Sequence, residues 1–324
     1  MSKDFSNTIL RWSVGMQNTV VLSDRDRQQM LDMLWLCKLS VISFQKFFPG
    51  AAFYILYNGM GFQEFIYQIE EVNPQFLYPV KFINQREEIK HTNNPYHFMP
   101  IGVWWKWIPF RLDINKHEIA IDTDIICVNE PLSWYEWIDG NTSILIAPER
   151  YEKVSSSTTG DFFSHPLLQG KKPYNCGVVG QKSGCNYEQR FFDITKTIEF
   201  GHTHDSMFIT EQGAINLWIR SLELEGVRHS CLDFSLNAWV RDFVYFLEKG
   251  IKVETVHAVS WYKDVVKGLK DIFENKILGN KYIDNKSFLE DIISRSDNLD
   301  FYGKYVLSKQ LGDSSKISKE ILLF

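Results

Sequence analysis

The chain has 324 residues, 44% hydrophobic and 23% charged, which suits one large α/β domain with an appendage or two modest domains. A formal net charge of −5 excludes a general nucleic-acid binder, because phosphate backbones are held by excess Lys and Arg. Five scattered cysteines without a CxxC pair exclude a disulfide framework or zinc ribbon and predict a reducing, cytoplasmic setting, with no apolar signal core and no membrane-length apolar run.

In chain order, TILRWSVGM (8–16) predicts a first strand, and residues 23–48 a helix opened by Ser23 as N-cap and closed by Pro49-Gly50. AAFYILYNG (51–59) predicts a second buried strand ending at Asn58-Gly59, and 61–72 a second helix. Strand, helix, strand implies a parallel, right-handed βαβ unit. LYPVKFIN (77–84) predicts a third strand, followed by an aromatic stretch over 95–112.

HEIAIDTDIICV (117–128) is the most apolar run and predicts a central strand. TSILIAPER (142–150) predicts another strand, SSSTTGD (155–161) a mobile polar loop, and YNCGVVGQ (174–181) a short strand. Helices are predicted over 186–198 and 207–224, and a late strand within 250–263 ending at His257. Beyond about residue 266 the pattern is helical. Most of the ten Trp belong in the core, with the WWKWIPF (104–110) and WYEW (134–137) patches as candidate sugar-stacking surfaces.

The chemistry concentrates in IDTDIIC. On a strand Asp122 and Asp124 share a face with Thr123 opposite, and two adjacent carboxylates with apolar flanks repel one another unless a hard divalent cation sits between them. A solvated strand end would carry polar flanks; here Ile119, Ala120, Ile121, Ile125 and Ile126 surround the pair. Lys106 and Arg111 are candidates to neutralise phosphate.

The ordered set of WWKWIPFR, IDTDIIC, YNCGVVG, TEQGAIN and VETVHAVSWYK resembles the GT-A glycosyltransferases, over roughly residues 8–263 in element order. The resemblance implies a Rossmann-related, mostly parallel central sheet flanked by helices over residues 1–263, with a helical C-terminal extension over 264–324. It implies that Asp122 and Asp124 hold Mn²⁺ or Mg²⁺ on the diphosphate of a nucleotide-sugar donor, UDP-sugar favoured. His257 then matches a third ligand, although Trp261-Tyr262-Lys263 replaces the Lys-Pro that follows it in one retaining branch.

By the same resemblance Asn175, Cys176 and Gly177 form a turn facing the donor sugar, and Glu211-Gln212 matches a pair beside the anomeric carbon. Asn58 and His204 join the substrate-binding candidates. The implied reaction is sugar transfer, with retention favoured, to a glycan, lipid-linked glycan or protein acceptor. The terminal Ile321, Leu322, Leu323 and Phe324 are a candidate peripheral contact with the inner face of a membrane, packing on the domain being the blander alternative. Two readings compete: a metal-dependent hydrolase using His202, His204 and Asp205, and a non-catalytic carbohydrate-binding protein using the Trp patches.

Overall fold

The computed structural model of the chain describes residues 3–15, 24–59, 61–90, 103–196, 204–258, 270–279, 281 and 284–296. Thr8–Val14 (β1), Asp24–Gln45 (α1) and Ala52–Tyr57 (β2) form the first strand–helix–strand unit, with β1 and β2 parallel. Phe62–Glu71 (α2) connects β2 to Val80–Asn84 (β3), again parallel, and Gln85–Lys90 (α3) follows. The apolar residues of α1 cover two faces rather than one. Leu34, Cys37, Val41 and Phe44 join the core under the main sheet, while Trp35, Leu36, Leu39 and Ile42 join a second core. A helix apolar on both sides must be sandwiched, and α1 separates the two cores.

A 3₁₀ turn at Val103–Trp107 precedes His117–Ile121 (β4), which pairs parallel with β1. Hydropathy predicts one strand over 117–128, but the chain breaks at Asp122–Asp124 and resumes as Ile125–Cys127 (β5) in another sheet. The break has a physical cause. Asp122 N donates to Gly177 O (2.8 Å) and Ile125 N to Asp122 O (3.2 Å), closing a turn, after which the residues alternate between the two cores: Ile125 and Cys127 join Ile119 and Ile121 in the first, and Ile126 and Val128 enter the second.

Leu132–Asp139 (α4), Ile144–Pro148 (β6), Ser156–Thr159 (α5), a 3₁₀ turn at Gly160–Ser164, and Tyr174–Gln181 (β7) follow. Residues 155–161 are therefore not the polar loop their composition predicts. Ser155 and Thr158 form a reciprocal capping box, and the segment packs on Glu188–Thr195 (α6)'s successor, His204–Leu224 (α7). His229–Cys231 (β8), Asn237–Trp239 (β9), Val240–Glu248 (α8) and Thr255–His257 (β10) complete the strand set.

The main sheet has seven strands in the order β3-β2-β1-β4-β7-β6-β8, so β4 is central as its hydropathy predicts. It is parallel except for β7, which runs antiparallel to both β4 and β6. A second sheet, β5-β10-β9, is short. The late strand predicted within 250–263 is Thr255–His257, ending at His257 as expected and lying in the smaller sheet; residues 259–263 lie outside the described residues.

Lys270–Leu278 (α9) and Asn285–Ser296 (α10) place Ile272, Phe273, Ile277, Phe288 and Ile292 in the second core with Trp35, Ile126 and Phe243. The predicted N-cap Ser23 and the terminal Ile321–Phe324 lie outside the described residues. Among the described residues no helix is long and apolar enough to cross a membrane. The Trp patches are interior: Trp104, Trp105, Trp107, Trp134 and Trp137 are all buried, which removes them as sugar-stacking surfaces.

Candidate metal and sugar-donor site

The site is assembled where β4 ends. In a sheet of this topology the C-terminal edge of the parallel strands, at the point where the strand order reverses, is the crevice that receives ligands. Asp122 and Asp124 lie in the turn between β4 and β5, not on a continuous strand, so their convergence comes from the turn rather than from strand alternation. Strand β10 pairs antiparallel with β5, setting His257 against Ile125, and Ala258 N donates to Asp124 O at 2.9 Å.

This register brings the three groups together. His257 Nε2 is 3.3 Å from Asp124 Oδ1 and 3.8 Å from Asp122 Oδ2, and one potential ligand atom from each residue lies within 4.8 Å of the others. Two carboxylates and an imidazole suit a hard to borderline divalent cation. Burial works against charge on His257, but the carboxylates of Asp124 and Asp122 hold its pKa above the ordinary histidine value.

Strand β7 supplies the opposite wall. Antiparallel pairing of Ile121 with Val178 places Asn175–Gly177, which lie within β7 rather than in the turn expected from the sequence, beside Asp122. Gly177 is required by space: a Cβ there would stand 2.7 Å from His257 Cε1 and 2.8 Å from Asn175 Oδ1. An irregularity between Ile146 and Ala147 shifts the β6–β7 register next to Asn175, the kind of bulge that re-aims side chains.

Helix α7 is clamped to β7 through Asn216. Asn216 Oδ1 accepts from Tyr174 N (2.7 Å) and its Nδ2 donates to Tyr174 O (2.8 Å), which fixes Glu211 and Gln212 about one turn earlier. Gln212 Nε2 donates to Glu149 Oε2 (3.0 Å) and Thr158 O (2.8 Å), and Asn175 Nδ2 to Gln212 Oε1 (3.3 Å). Glu211 accepts from Trp107 Nε1 at 2.7 Å, and the Cys176 thiol lies 3.6 Å from its other oxygen.

Lys106 links the halves of the site. Its Nζ is 2.7 Å from Asp122 Oδ1, 3.3 Å from Glu211 Oε1 and 2.9 Å from Cys176 O. Burial works against the ammonium, yet these two carboxylates hold its pKa well above the ordinary lysine value. Burial raises Glu211 despite the nearby Lys106, and raises Glu149 despite hydrogen bonds from Arg150 N, Asn175 and Gln212. The Cys176 thiol is pushed well up by burial and stays protonated.

Of the sequence candidates, the structure brings together Asp122, Asp124, His257, Lys106, Asn175, Cys176, Gly177, Glu211 and Gln212. It does not bring Arg111, whose guanidinium sits at the opposite end of β4, 3.4 Å from Glu118 and donating to the carbonyls of Lys182, Cys185 and Lys116. Arg111 holds a buried junction. Asn58 lies at the C-terminal edge of β2, fully buried, with an Oδ1 that has no partner among the described residues. His204 and Asp205 fall in the first turn of α7, where side chains are outside the described residues, as is His202; the hydrolase cluster gains no support.

Glu149 was not a sequence candidate. Its signal was available: it follows an apolar strand, as Asp122 does. Thr158 and Asn216 offered no comparable signal, since a short polar segment and one helical Asn are ordinary.

No model of a known protein family matches the sequence, and no curated protein is similar to it. Solved structures are. The chain is similar to the apo form of WbbM, a bifunctional glycosyltransferase, at 13% identity with TM-score 0.52; the match covers 90% of this chain and 52% of that one, so the chain spans about half the length of that protein. It is similar to the galactosyltransferase LgtC, in a complex with donor and acceptor sugar analogues, at 9% identity and TM-score 0.52, covering 86% and 98% of the two chains. GlyE, a glycosyltransferase of Streptococcus pneumoniae, matches at 12% identity and TM-score 0.45 over 89% of this chain and 63% of that one. The architecture is the GT-A fold.

Proposed function

We propose that this GT-A-fold chain is a glycosyltransferase that moves a sugar from a nucleotide diphosphate donor, UDP-sugar favoured, to a glycan, lipid-linked glycan or protein acceptor. The observation that carries the reading is the convergence of Asp122, Asp124 and His257 at the C-terminal edge of the central strand. These three residues would hold Mn²⁺ or Mg²⁺. When bound, such an ion supplies Lewis-acid stabilisation of the charge that develops on the departing diphosphate.

The protein's own groups divide the remaining work. Lys106 fixes the orientation of Asp122 and neutralises part of the acidic cluster. Asn175, Gln212 and Glu149 present amide and carboxylate groups suited to sugar hydroxyls, and Gly177 lets strand β7 approach closely. Buried Asn58, with its unmatched oxygen at the same sheet edge, suits a polar contact to the nucleotide.

The environment of Glu211 bears on the stereochemistry. An inverting reaction needs a free general base on the acceptor side. Glu211 is engaged by Lys106, Trp107 and Cys176 on both oxygens, which supports a positioning role and a retaining reaction in which the departing phosphate accepts the acceptor proton. In this reading residues 1–263 form the catalytic unit and residues 264–324 an extension, and the unpaired cysteines support a reducing, cytoplasmic setting.

The deciding experiment is thermal unfolding with UDP or GDP. Either nucleotide should raise the midpoint only when Mn²⁺ is present, through ligand linkage, and the effect should vanish in Asp124→Ala while circular dichroism stays unchanged. A panel of nucleotide sugars with Mn²⁺, read by released nucleotide, then identifies the donor. Indifference to both nucleotides with Mn²⁺ would sink the assignment.

A further inference from the structure

An aromatic wall stands beside the site, and none of the groups already described uses it. In the parallel β9–β10 pair Trp239 is directly opposite His257, and paired residues of a parallel ladder project to the same face. The Trp239 indole is therefore on the metal-facing side of the small sheet. Tyr151, two residues beyond Glu149, meets it edge to face with ring centroids 6.3 Å apart. Trp239 is 8% exposed, whereas Tyr151 is 44% exposed.

The wall is braced on both sides. Phe234 contacts Trp239 at 6.5 Å and Phe246 at 5.9 Å, so the indole is packed from behind. Arg150, between Glu149 and Tyr151, pairs with Asp242 in the first turn of α8 at 3.3 Å, tying the strand β6 exit to the segment that carries Trp239.

We propose that Tyr151, backed by Trp239, receives the C–H face of the acceptor's pyranose ring. The assignment rests on the transfer reading above. An exposed aromatic face next to convergent carboxylate and amide groups matches a neutral sugar, which has an apolar face and a polar rim.

The test uses the full chain with Mn²⁺ and UDP, probed with methyl glycosides of glucose, galactose and mannose by saturation-transfer NMR. At least one glycoside should show transfer on its ring C–H protons. Its affinity should fall about tenfold in Tyr151→Ala, equivalent to about 1.4 kcal/mol, and return in Tyr151→Phe, which keeps the ring. In turnover with that glycoside as acceptor, KM should rise by a similar factor with kcat nearly constant. Tyr67→Ala, an exposed tyrosine on α2, should match the wild type.

Unchanged glycoside affinity in Tyr151→Ala, or no binding of any glycoside by a protein that still binds UDP with Mn²⁺, overturns the aromatic wall and leaves the transfer reading standing. Failure of UDP and GDP to bind with Mn²⁺ overturns the transfer reading itself.

Discussion

The Lys106 ammonium lies 2.7 Å from Asp122 Oδ1, so a buried cation from the 3₁₀ turn before β4 already occupies one side of the carboxylate that faces His257 on the other. Lys106 also pairs with Glu211 on α7, which makes it the electrostatic link between the acidic turn and the helix.

Removing that link leaves Glu211 buried without its counter-charge. Lys106→Met should destabilise the protein by about 3 kcal/mol, the low end for breaking a buried pair because Asp122 is partly solvated. Adding Mn²⁺ should recover more of the unfolding midpoint in this variant than it adds to the wild type, since positive charge is returned to Asp122. Equal Mn²⁺ shifts in the two proteins would contradict the coupling.

Gly177 and His257 share one space. In Gly177→Ala the new methyl would stand 2.7 Å from His257 Cε1, so the imidazole must turn away from Asp124 or strand β7 must shift. The expected cost is about 1–3 kcal/mol, from overpacking. Mn²⁺ affinity, measured by calorimetry, should fall as well; an unaltered affinity would show that His257 is not a ligand.

Gly213 tests the packing of the 155–164 segment on α7. Alanine is favoured over glycine in a helix by about 1 kcal/mol, so propensity alone predicts stabilisation by Gly213→Ala. A Cβ there would lie 2.1 Å from Thr159 O, which is backbone and cannot yield cheaply. The structure therefore predicts the opposite sign, a lower unfolding midpoint. A higher midpoint would mean that the segment is not seated on α7.

His229 gives a pH signature away from the site. Its Nδ1 is 3.1 Å from Glu223 and its Nε2 is 2.8 Å from the Tyr174 hydroxyl, with Arg220 stacked on the Tyr174 ring. Burial lowers its pKa, Glu223 opposes this, and Arg220 lowers it further, with a net shift below the ordinary value of 6.5. A folded-state pKa below the unfolded one contributes stability above the unfolded pKa that is lost as pH falls through the folded pKa. Between pH 6.5 and lower values the unfolding midpoint should thus fall less steeply in His229→Gln than in the wild type. Parallel curves for the two proteins would refute the shift.

Much of this protein could be read without a structure. Alternating strands and amphipathic helices over residues 8–84 dictate a parallel arrangement, because consecutive apolar strands joined by helices have few other ways to bury both faces. The acidic pair stood out for the same reason: carboxylates inside an apolar run are costly unless compensated. The sequence was silent on what depends on contacts between distant segments. That 117–128 splits between two sheets, that Arg111 serves Glu118 rather than a ligand, and that Glu149 joins Asn175 and Gln212 are outcomes of strand pairing across long separations. Residue type and local periodicity determined which groups were expensive to bury; only the tertiary register decided which partners they met, because hydrogen-bond and ion-pair energies fall off within a few ångströms while sequence patterns carry no distances.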